Sequence, residues 1–127
     1  MGISATLINP HFISGVDEEL MESLKANHKL VITLEDGALE GGFGEKIASY
    51  FGNSDMKVLN FGARKEFTDR VPLEELYQRY HLTPELIIDD IKNCLSFKNC
   101  KFQREVLFIT ALLFLYNILN KMLYVKR

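Results

Sequence analysis

The hydrophobic positions of this chain form short apolar runs that alternate with amphipathic segments. Three runs have the length and β-branched content of strands, at residues 3–8, 30–34 and 57–61. Four other segments carry apolar positions at helical spacing or helix-start signals, at residues 17–26, 45–51, 73–80 and 84–94. The order β-α-β-α-β-α-α predicts an α/β fold, a three-layer arrangement with a mainly parallel sheet and helices on both faces.

Residues at the ends of the predicted helices support these limits. Asp17 is a good N-cap for the first helix, and Thr83 is a good N-cap for the last one. Pro72 and Pro84 each stand where a helix should begin, at the first helical position. The run Leu30–Leu34 is apolar on both faces, as expected of a central parallel strand that is covered on both sides.

Charge divides the chain into an acidic body and a basic tail. The net charge of −2 gives no reason to expect nucleic acid as a partner. Residues 1–95 carry 9 Lys and Arg against 16 Asp and Glu, whereas residues 96–127 carry 6 against one. Cys94 and Cys100 lack metal-site spacing, and the N-terminus does not read as a secretory signal. We therefore expect free thiols in a reducing, cytoplasmic environment.

The tail contains an uncharged and almost entirely apolar run, Val106–Leu119. Its 14 residues fall short of the roughly 20 needed to span a bilayer as a helix. A helical interpretation leaves little polar surface on either side, so such a helix would be buried, oligomerised or membrane-bound.

A glycine-rich loop follows the second predicted strand. The acidic pair Glu35-Asp36 ends the apolar run, and Gly41, Gly42 and Gly44 precede the next helix. Glycines at a helix N-terminus can let the backbone approach an anion, but the spacing is neither G-x-G-x-x-G nor a P-loop. The alternatives are a tight turn with close helix–sheet packing for the glycines, and a hydrogen-bonded turn or an interface contact for the acidic pair.

A small basic loop follows the third strand. Arg64 and Lys65 could hold a phosphate there, although Glu66 and Asp69 in the same loop favour local neutralisation. The three histidines are scattered and none lies at metal-ligand spacing with another. The residues therefore predict no catalytic group and no metal site.

Residues 3 to about 95 resemble the C-terminal domain of the 1-deoxy-D-xylulose-5-phosphate synthases, which belong to the transketolase family. The segments that carry the resemblance are ISATLINPHFISGVDEEL, HKLVITLEDGALEGGFGEKI, VLNFGARKEF and LYQRYHLTPELIIDDIK. The second segment is the most specific, because it combines a strand, an acidic pair and GGxG at a fixed distance. His81 departs from the family pattern, which usually has glycine in the turn before the last helix.

The resemblance implies a role in assembly and packing. The family enzyme condenses pyruvate with glyceraldehyde 3-phosphate, using thiamine diphosphate and Mg²⁺, and its product feeds isoprenoid, thiamine and pyridoxal synthesis. Its catalytic and cofactor residues lie in two preceding domains, so no such residue carries over to this chain, which alone is expected to be inactive. What the resemblance implies for this chain is a loop that contacts other domains or the second copy of a dimer. Its residues are Glu35, Asp36, Gly41, Gly42 and Gly44.

The resemblance also implies that residues 1–95 lack the family domain's first strand and helix. Residues 96–127 match nothing in the family, and we expect a helical tail that folds back over the sheet left uncovered. Oligomerisation and membrane association are the other two outcomes, with membrane not favoured. The expected partners are the remaining synthase domains or a second copy. The alternative is a stand-alone module that binds an anion or nucleotide through the GGFG loop with Arg64 and Lys65.

Overall fold

The fold is an α/β arrangement in a computed structural model that describes residues 4–96 and 105–110. Its elements in chain order are β1 (Ser4–Ile8), α1 (Glu18–Lys25), β2 (His28–Ala38), α2 (Phe43–Phe51), β3 (Lys57–Ala63), α3 (Leu73–Arg79), α4 (Pro84–Ser96) and β4 (Glu105–Thr110). The predicted order of the first seven elements is confirmed, and each lies within a few residues of its expected limits.

The four strands form one parallel sheet in the order β1-β4-β2-β3. β4 pairs with β1 from Ser4↔Glu105 to Ile8↔Ile109, and with β2 from His28↔Glu105 to Leu34↔Thr110. β2 pairs with β3 on its other side, with an irregularity between Leu34 and Ala38. The consecutive strands β1 and β2 are therefore separated by β4, the last described strand of the chain.

Two apolar clusters cover the two faces of this sheet. Alternate residues of β2 point to opposite sides, because successive side chains of a strand do so. Val31 packs with α1 and α2 residues in a cluster of Met21, Val31, Phe43, Ile47, Phe51 and Ile109. Its neighbours Leu30 and Ile32 join Leu34, Phe61, Leu82, Ile87 and Ile91 on the side of α4. The predicted three layers, with helices on both faces, are confirmed.

Several predicted helix ends are also confirmed. Asp17 is the N-cap of α1 and its Oδ1 accepts from the Leu20 N–H at 3.0 Å. Pro84 is the first residue of α4, and Thr83 Oγ1 lies 3.5 Å from the Leu86 nitrogen. Pro72 is the N-cap of α3 and so lies one position before the predicted one. Each polar or proline start signal thus marks a helix to within one residue.

The tail differs from its prediction. Residues 105–110 form strand β4, whereas the sequence predicts the beginning of an apolar helix there. A run of Val, Leu, Phe, Ile and Thr suits a buried strand as well as a helix, and periodicity alone does not separate the two. The sheet gains a fourth strand in place of the expected three. The rest of the predicted helix, residues 111–127, lies outside the described residues, as does Cys100.

His28, at the start of β2, is buried and joins three elements. Its Nδ1 donates to the Leu24 carbonyl oxygen at the end of α1. In that tautomer the other ring nitrogen, Nε2, accepts a hydrogen bond from Thr6 Oγ1 on β1 at 2.9 Å. The side chain therefore has a structural role, as expected for a histidine without a metal-ligand neighbour in sequence. It also fixes the separation of β1 and β2 at one end of the sheet.

Candidate functional site

The candidate site lies at the carboxyl edge of the sheet. Because all four strands are parallel, the segments that follow β1, β2 and β3 leave from the same edge. The Leu39 N–H donates to the Ala63 carbonyl oxygen at 2.8 Å, and the Lys65 N–H donates to Glu40 Oε2 at 3.0 Å. The glycine-rich loop after β2 is therefore bonded directly to the basic loop after β3.

Glu35 holds the beginning of α2. Its Oε2 accepts from the Phe43 N–H and its Oε1 accepts from the Gly44 N–H, each at 2.7 Å. The first N–H groups of a helix lack partners within the helix and carry partial positive charge, so a carboxylate there is favourable. Glu35 lies inside β2, because that strand continues to Ala38 and does not stop at Leu34 as predicted.

Glycine is required at two places where α2 meets the sheet. A Cβ on Gly42 would lie 2.6 Å from Glu35 Oε2. A Cβ on Gly44 would lie 2.6 Å from Thr33 Oγ1 and 2.8 Å from Asn60 Cγ, and Thr33 itself donates to Asn60 Oδ1 at 2.8 Å. The close helix–sheet packing that the sequence offers as one alternative is what these two glycines provide.

Gly41 serves the turn itself. Its φ of +78° lies in the left-handed region, which glycine adopts without steric cost. The Gly41 N–H donates to Glu45 Oε2 at 2.9 Å, and the Gly42 N–H donates to the Leu39 carbonyl oxygen at 3.0 Å. The backbone N–H groups of the loop from Gly41 to Gly44 thus all have acceptors within the chain.

The acidic pair is divided between the two faces of the sheet. Glu35 shares a face with Thr33 and α2, whereas the exposed Asp36 lies near Tyr77 of α3. Burial of Tyr77 raises the pKa of its phenol, and the negative charges of Asp36 and Glu74 raise it further. Adjacent strand positions point apart, so the pair does not form one acidic site.

Arg64 and Lys65 lie beside the glycine loop, and acidic side chains are near both. The hydrogen bond from Tyr80 lowers the pKa of Glu66, and Arg79 and Arg64 lower it further by their positive charge. Lys65 reaches the loop through its backbone N–H and the Glu40 carboxylate. This arrangement favours local neutralisation in the basic loop, the interpretation that Glu66 suggests in the sequence.

Exposed apolar side chains at the same edge are the feature that sequence reasoning misses. Of the described residues, large hydrophobic side chains are strongly exposed at Phe12, Ile13, Phe67 and Leu73, with Phe12 at 82%. Lys46 on α2 donates to the carbonyl oxygens of Ile13 at 2.9 Å and Ser14 at 3.2 Å, which holds the loop after β1 in place. Apolar residues inside Pro- and Gly-bounded loops are the signal that could have found them.

Two other kinds of site are absent from the described part of the chain. Residues 4–96 and 105–110 contain no group of three or more His, Cys, Asp or Glu side chains placed to hold a metal ion. Within the same residues, no helix is both long enough and apolar enough to cross a membrane.

The fold and the loop geometry define a class of α/β domain, and the chain belongs to the transketolase C-terminal domain family, whose model matches residues 1–87. Among individual proteins, it is 34% identical over 91 residues to 1-deoxy-D-xylulose-5-phosphate synthase of Clostridium tetani, covering 70% of this chain and 15% of that protein. The synthase of Carboxydothermus hydrogenoformans is 36% identical over 97 residues, which are 75% of this chain and 16% of the relative. The resemblance stated from the sequence is confirmed.

The same synthase of Alkaliphilus oremlandii is 36% identical over 92 residues, or 71% of this chain and 15% of the relative. The chain thus spans less than a fifth of the length of these curated relatives. No solved structure matches the chain.

Proposed function

We propose that this chain acts as the C-terminal domain of a 1-deoxy-D-xylulose-5-phosphate synthase, in a packing and assembly role without catalytic residues of its own. The relatives named above carry that name, and the chain corresponds to about 15% of their length. On this proposal the remaining domains, or a second copy of the chain, are the partners. The observation that carries the assembly role is the surface at the carboxyl edge.

That surface combines a rigid loop with exposed apolar side chains. The loop is held by Glu35 and by the bonds of Gly41 and Gly42, so it can present Asp36 and Gly41 in a fixed position. Phe12 and Phe67 are exposed on the loops that leave the same edge after β1 and β3. Protein–protein contact surfaces combine exposed apolar side chains with polar groups around them.

The alternative, an anion- or nucleotide-binding loop, has less support. A phosphate at a helix N-terminus is bound by the first free N–H groups of the helix. In α2 the N–H groups of Phe43 and Gly44 already donate to Glu35. An anion would have to displace that carboxylate against its charge.

Residues 4–96 and 105–110 do not fit the cofactor of the family reaction. Thiamine diphosphate held through Mg²⁺ needs clustered oxygen ligands and free donors for its phosphates. The described residues offer no group of three or more acidic, histidine or cysteine side chains placed to hold a metal ion, and the first donors of α2 are used by Glu35. We therefore assign the cofactor to the domains that the proposal places outside this chain, and derive no catalytic step here.

The proposal is tested by reconstitution. The assay measures the formation of deoxyxylulose phosphate from pyruvate and glyceraldehyde 3-phosphate in the presence of thiamine diphosphate and Mg²⁺. The three samples are this chain, the Clostridium tetani synthase without its matching region, and the mixture of the two. We expect turnover in the mixture well above that of the truncated synthase alone, and none from this chain alone. Turnover by this chain alone, or a mixture no better than the truncated synthase, overturns the proposal.

A charge-reversal pair tests the surface itself. Asp36→Lys changes an exposed side chain near the carboxyl end of β2, and Asp55→Lys makes the same change in the turn before β3, at the opposite edge. Binding of each variant to the truncated synthase is measured by sedimentation velocity. We expect Asp36→Lys to weaken binding by about tenfold or more and Asp55→Lys to bind like the unmodified chain. Equal binding by both variants contradicts the assignment of this edge.

A further inference from the structure

The position of β4 points to a binding site for an extended peptide segment. β1 and β2 follow one another in the chain, connected by α1, yet their backbones do not pair. Between them lies a gap one strand wide, which Glu105–Thr110 fill. Neighbouring strands lie about 4.8 Å apart, so β1 and β2 stand roughly twice that distance from one another.

The strand in this gap comes from outside the family region. The family model matches residues 1–87, and β4 begins at Glu105. The matched residues contain both walls of the gap, β1 and β2, but not the strand that fills it. Any protein that folds these residues in the same way has to bring a strand from elsewhere, because unpaired backbone groups inside a sheet are costly.

The walls of the gap are held by contacts that do not involve β4. β2 pairs with β3 along its other side, from Leu30↔Lys57 to Ala38↔Ala63. The hydrogen bond between His28 Nε2 and Thr6 Oγ1, at 2.9 Å, joins β1 to β2 across the gap. His28 also bonds to the Leu24 carbonyl oxygen of α1, the helix that connects the two walls. These contacts favour a gap that keeps its width while its occupant exchanges.

One side chain identifies what the gap accepts. Ile109 of β4 is 2% exposed and packs in the cluster formed by Val31, Met21 and residues of α2. A charged side chain at this position would be buried without a partner, which is strongly unfavourable. The occupant is therefore a short parallel strand with an aliphatic residue at the Ile109 position.

We propose that the gap between β1 and β2 is a strand-acceptor site, which binds in trans an extended segment with the sequence of residues 105–110. In the intact chain this segment is the chain's own β4. Its covalent connection to α4 gives it an effective concentration of about millimolar, so a free peptide at micromolar concentration competes poorly. Weakening the chain's own strand should open the site to a second copy of the same segment.

The test uses the full chain with Ile109→Asp and a fluorescent peptide of residues 103–112, with fluorescence anisotropy as the readout. We expect the peptide to bind the variant chain at least about tenfold more tightly than the unmodified chain, a difference of about 1.4 kcal/mol. The control peptide carries the same Ile109→Asp change and should not bind either chain. Equal binding of both peptides, or no binding of the unmodified peptide to the folded variant, overturns the proposal.

A second preparation covers the case in which Ile109→Asp prevents folding. A protease site inserted between Asn99 and Cys100 is cut after the unmodified chain has folded, which leaves the strand bound without its connection. The labelled peptide should then replace the cut segment over time, and the Ile109→Asp peptide should not. A cut chain that neither exchanges its strand nor binds the peptide contradicts the proposal.

Discussion

At the scale of single residues, Glu35 is the side chain on which the geometry of the candidate loop most depends. Its two oxygens accept from consecutive helical N–H groups, while Gly42 and Gly44 leave the space that the carboxylate occupies. A carboxylate with two short bonds at a helix N-terminus is stabilised by charge as well as by hydrogen bonding.

Glu35→Gln should lower the free energy of unfolding by about 1.5–3 kcal/mol, the usual value for hydrogen bonds to a charged group. The amide has a single oxygen, so its NH₂ would face one of the two N–H donors that the carboxylate accepts from. Urea denaturation followed by circular dichroism measures the change. Asp36→Asn removes the same charge at an exposed neighbouring position and should stay within about 0.5 kcal/mol of the unmodified chain. Similar losses in both variants would refute the capping role.

Gly44→Ala should destabilise the chain by about 1–3 kcal/mol through overpacking, even though alanine is the better helix former. The new Cβ would press on Thr33 Oγ1 and on Asn60, whose side chains are bonded to each other and cannot move freely. Gly37→Ala is the matched control, because nothing lies within 4 Å of a Cβ there. The same denaturation measurement applies, and a Gly44→Ala chain as stable as the control would contradict the packing argument.

Tyr50 should titrate far above an ordinary tyrosine. Its hydrogen bond to Glu22, followed by burial and the charge of Glu22, raises its pKa from 10.0 to about 12. A raised pKa means that the stability from this contact is fully present below pH 10 and is lost as the pH rises through 12. Phenolate absorbance, read as the difference between the unmodified chain and Tyr50→Phe, measures the midpoint.

Glu22→Ala should move the Tyr50 midpoint down towards 10, because the first cause of the shift is removed. Glu19→Ala removes the same charge from the same helix and serves as the control for long-range charge effects. If both variants lower the midpoint equally, the shift does not come from the direct hydrogen bond.

At the scale of elements, the turn between α3 and α4 contains a residue type that its backbone conformation disfavours. His81 has a φ of +56°, in the left-handed region, and its Nδ1 lies 2.7 Å from Asp90 Oδ2. The resemblance to the synthase family implies glycine at this position, and the left-handed backbone provides a physical reason for such a preference.

His81→Gly should be more stable than His81→Ala by about 1 kcal/mol, since both lose the bond to Asp90 and only glycine avoids the cost of the left-handed conformation. Thermal unfolding of the two variants side by side provides the measurement. His81→Asn should fall between them, because asparagine tolerates this region better than alanine. An alanine variant as stable as the glycine variant would show that the turn relaxes to another conformation.

Local signals predict the elements of this chain better than its pairings. Asp17 and Thr83 act through hydrogen bonds within a few residues and Pro84 through its own fixed φ, so these helix starts are evident from the sequence. The length of β2 is not evident from the sequence, because the ladder with β3 resumes at Ala38↔Ala63 after an irregularity that contains Glu35 and Asp36. The strand state of residues 105–110 depends on pairing with residues about 100 positions earlier, which periodicity does not reveal.

The candidate site likewise combines features that the sequence predicts with features that it does not predict. The glycine positions and the acidic pair are evident in the sequence, and so are the two alternatives for their role. Two features of the site follow from the continuation of β2 past Leu34. One is the pairing of the Glu35 oxygens with the N–H groups of α2, and the other is the position of Asp36 on the opposite face, near Tyr77. The exposure of Phe12 and Phe67 depends on the whole surface and has only a weak local signal.

At the scale of the whole molecule, the sheet separates two apolar clusters that stabilise the fold independently. Ile47→Val and Ile87→Val lie on opposite faces, and each should cost about 0.5–1.5 kcal/mol. Their effects should add to within about 0.5 kcal/mol, because the two sites share no contact across the sheet. Urea denaturation of both single variants and the double variant provides the comparison.

The control for this experiment is a pair of substitutions within the single cluster on the α4 side of the sheet. Ile87→Val and Ile91→Val change residues one turn apart on α4 that pack in the same cluster. Their combined effect should depart from the sum by 0.5 kcal/mol or more, a coupling of the size expected for neighbours. Strong coupling between Ile47 and Ile87 would mean that the sheet transmits packing changes from face to face.

The place of β4 in the sheet also sets the order in which the molecule can be built during synthesis. Chains emerge from the ribosome N-terminus first, so β1 appears about 100 residues before β4. β4 is its ladder partner, with Ser4 opposite Glu105, so β1 cannot join this ladder until Glu105–Thr110 have been made. β2 and β3 can pair early, because about twenty residues separate them. A nascent chain of this protein therefore carries β1 without its ladder partner until β4 emerges, exposed to any chaperone or neighbouring chain that binds extended segments.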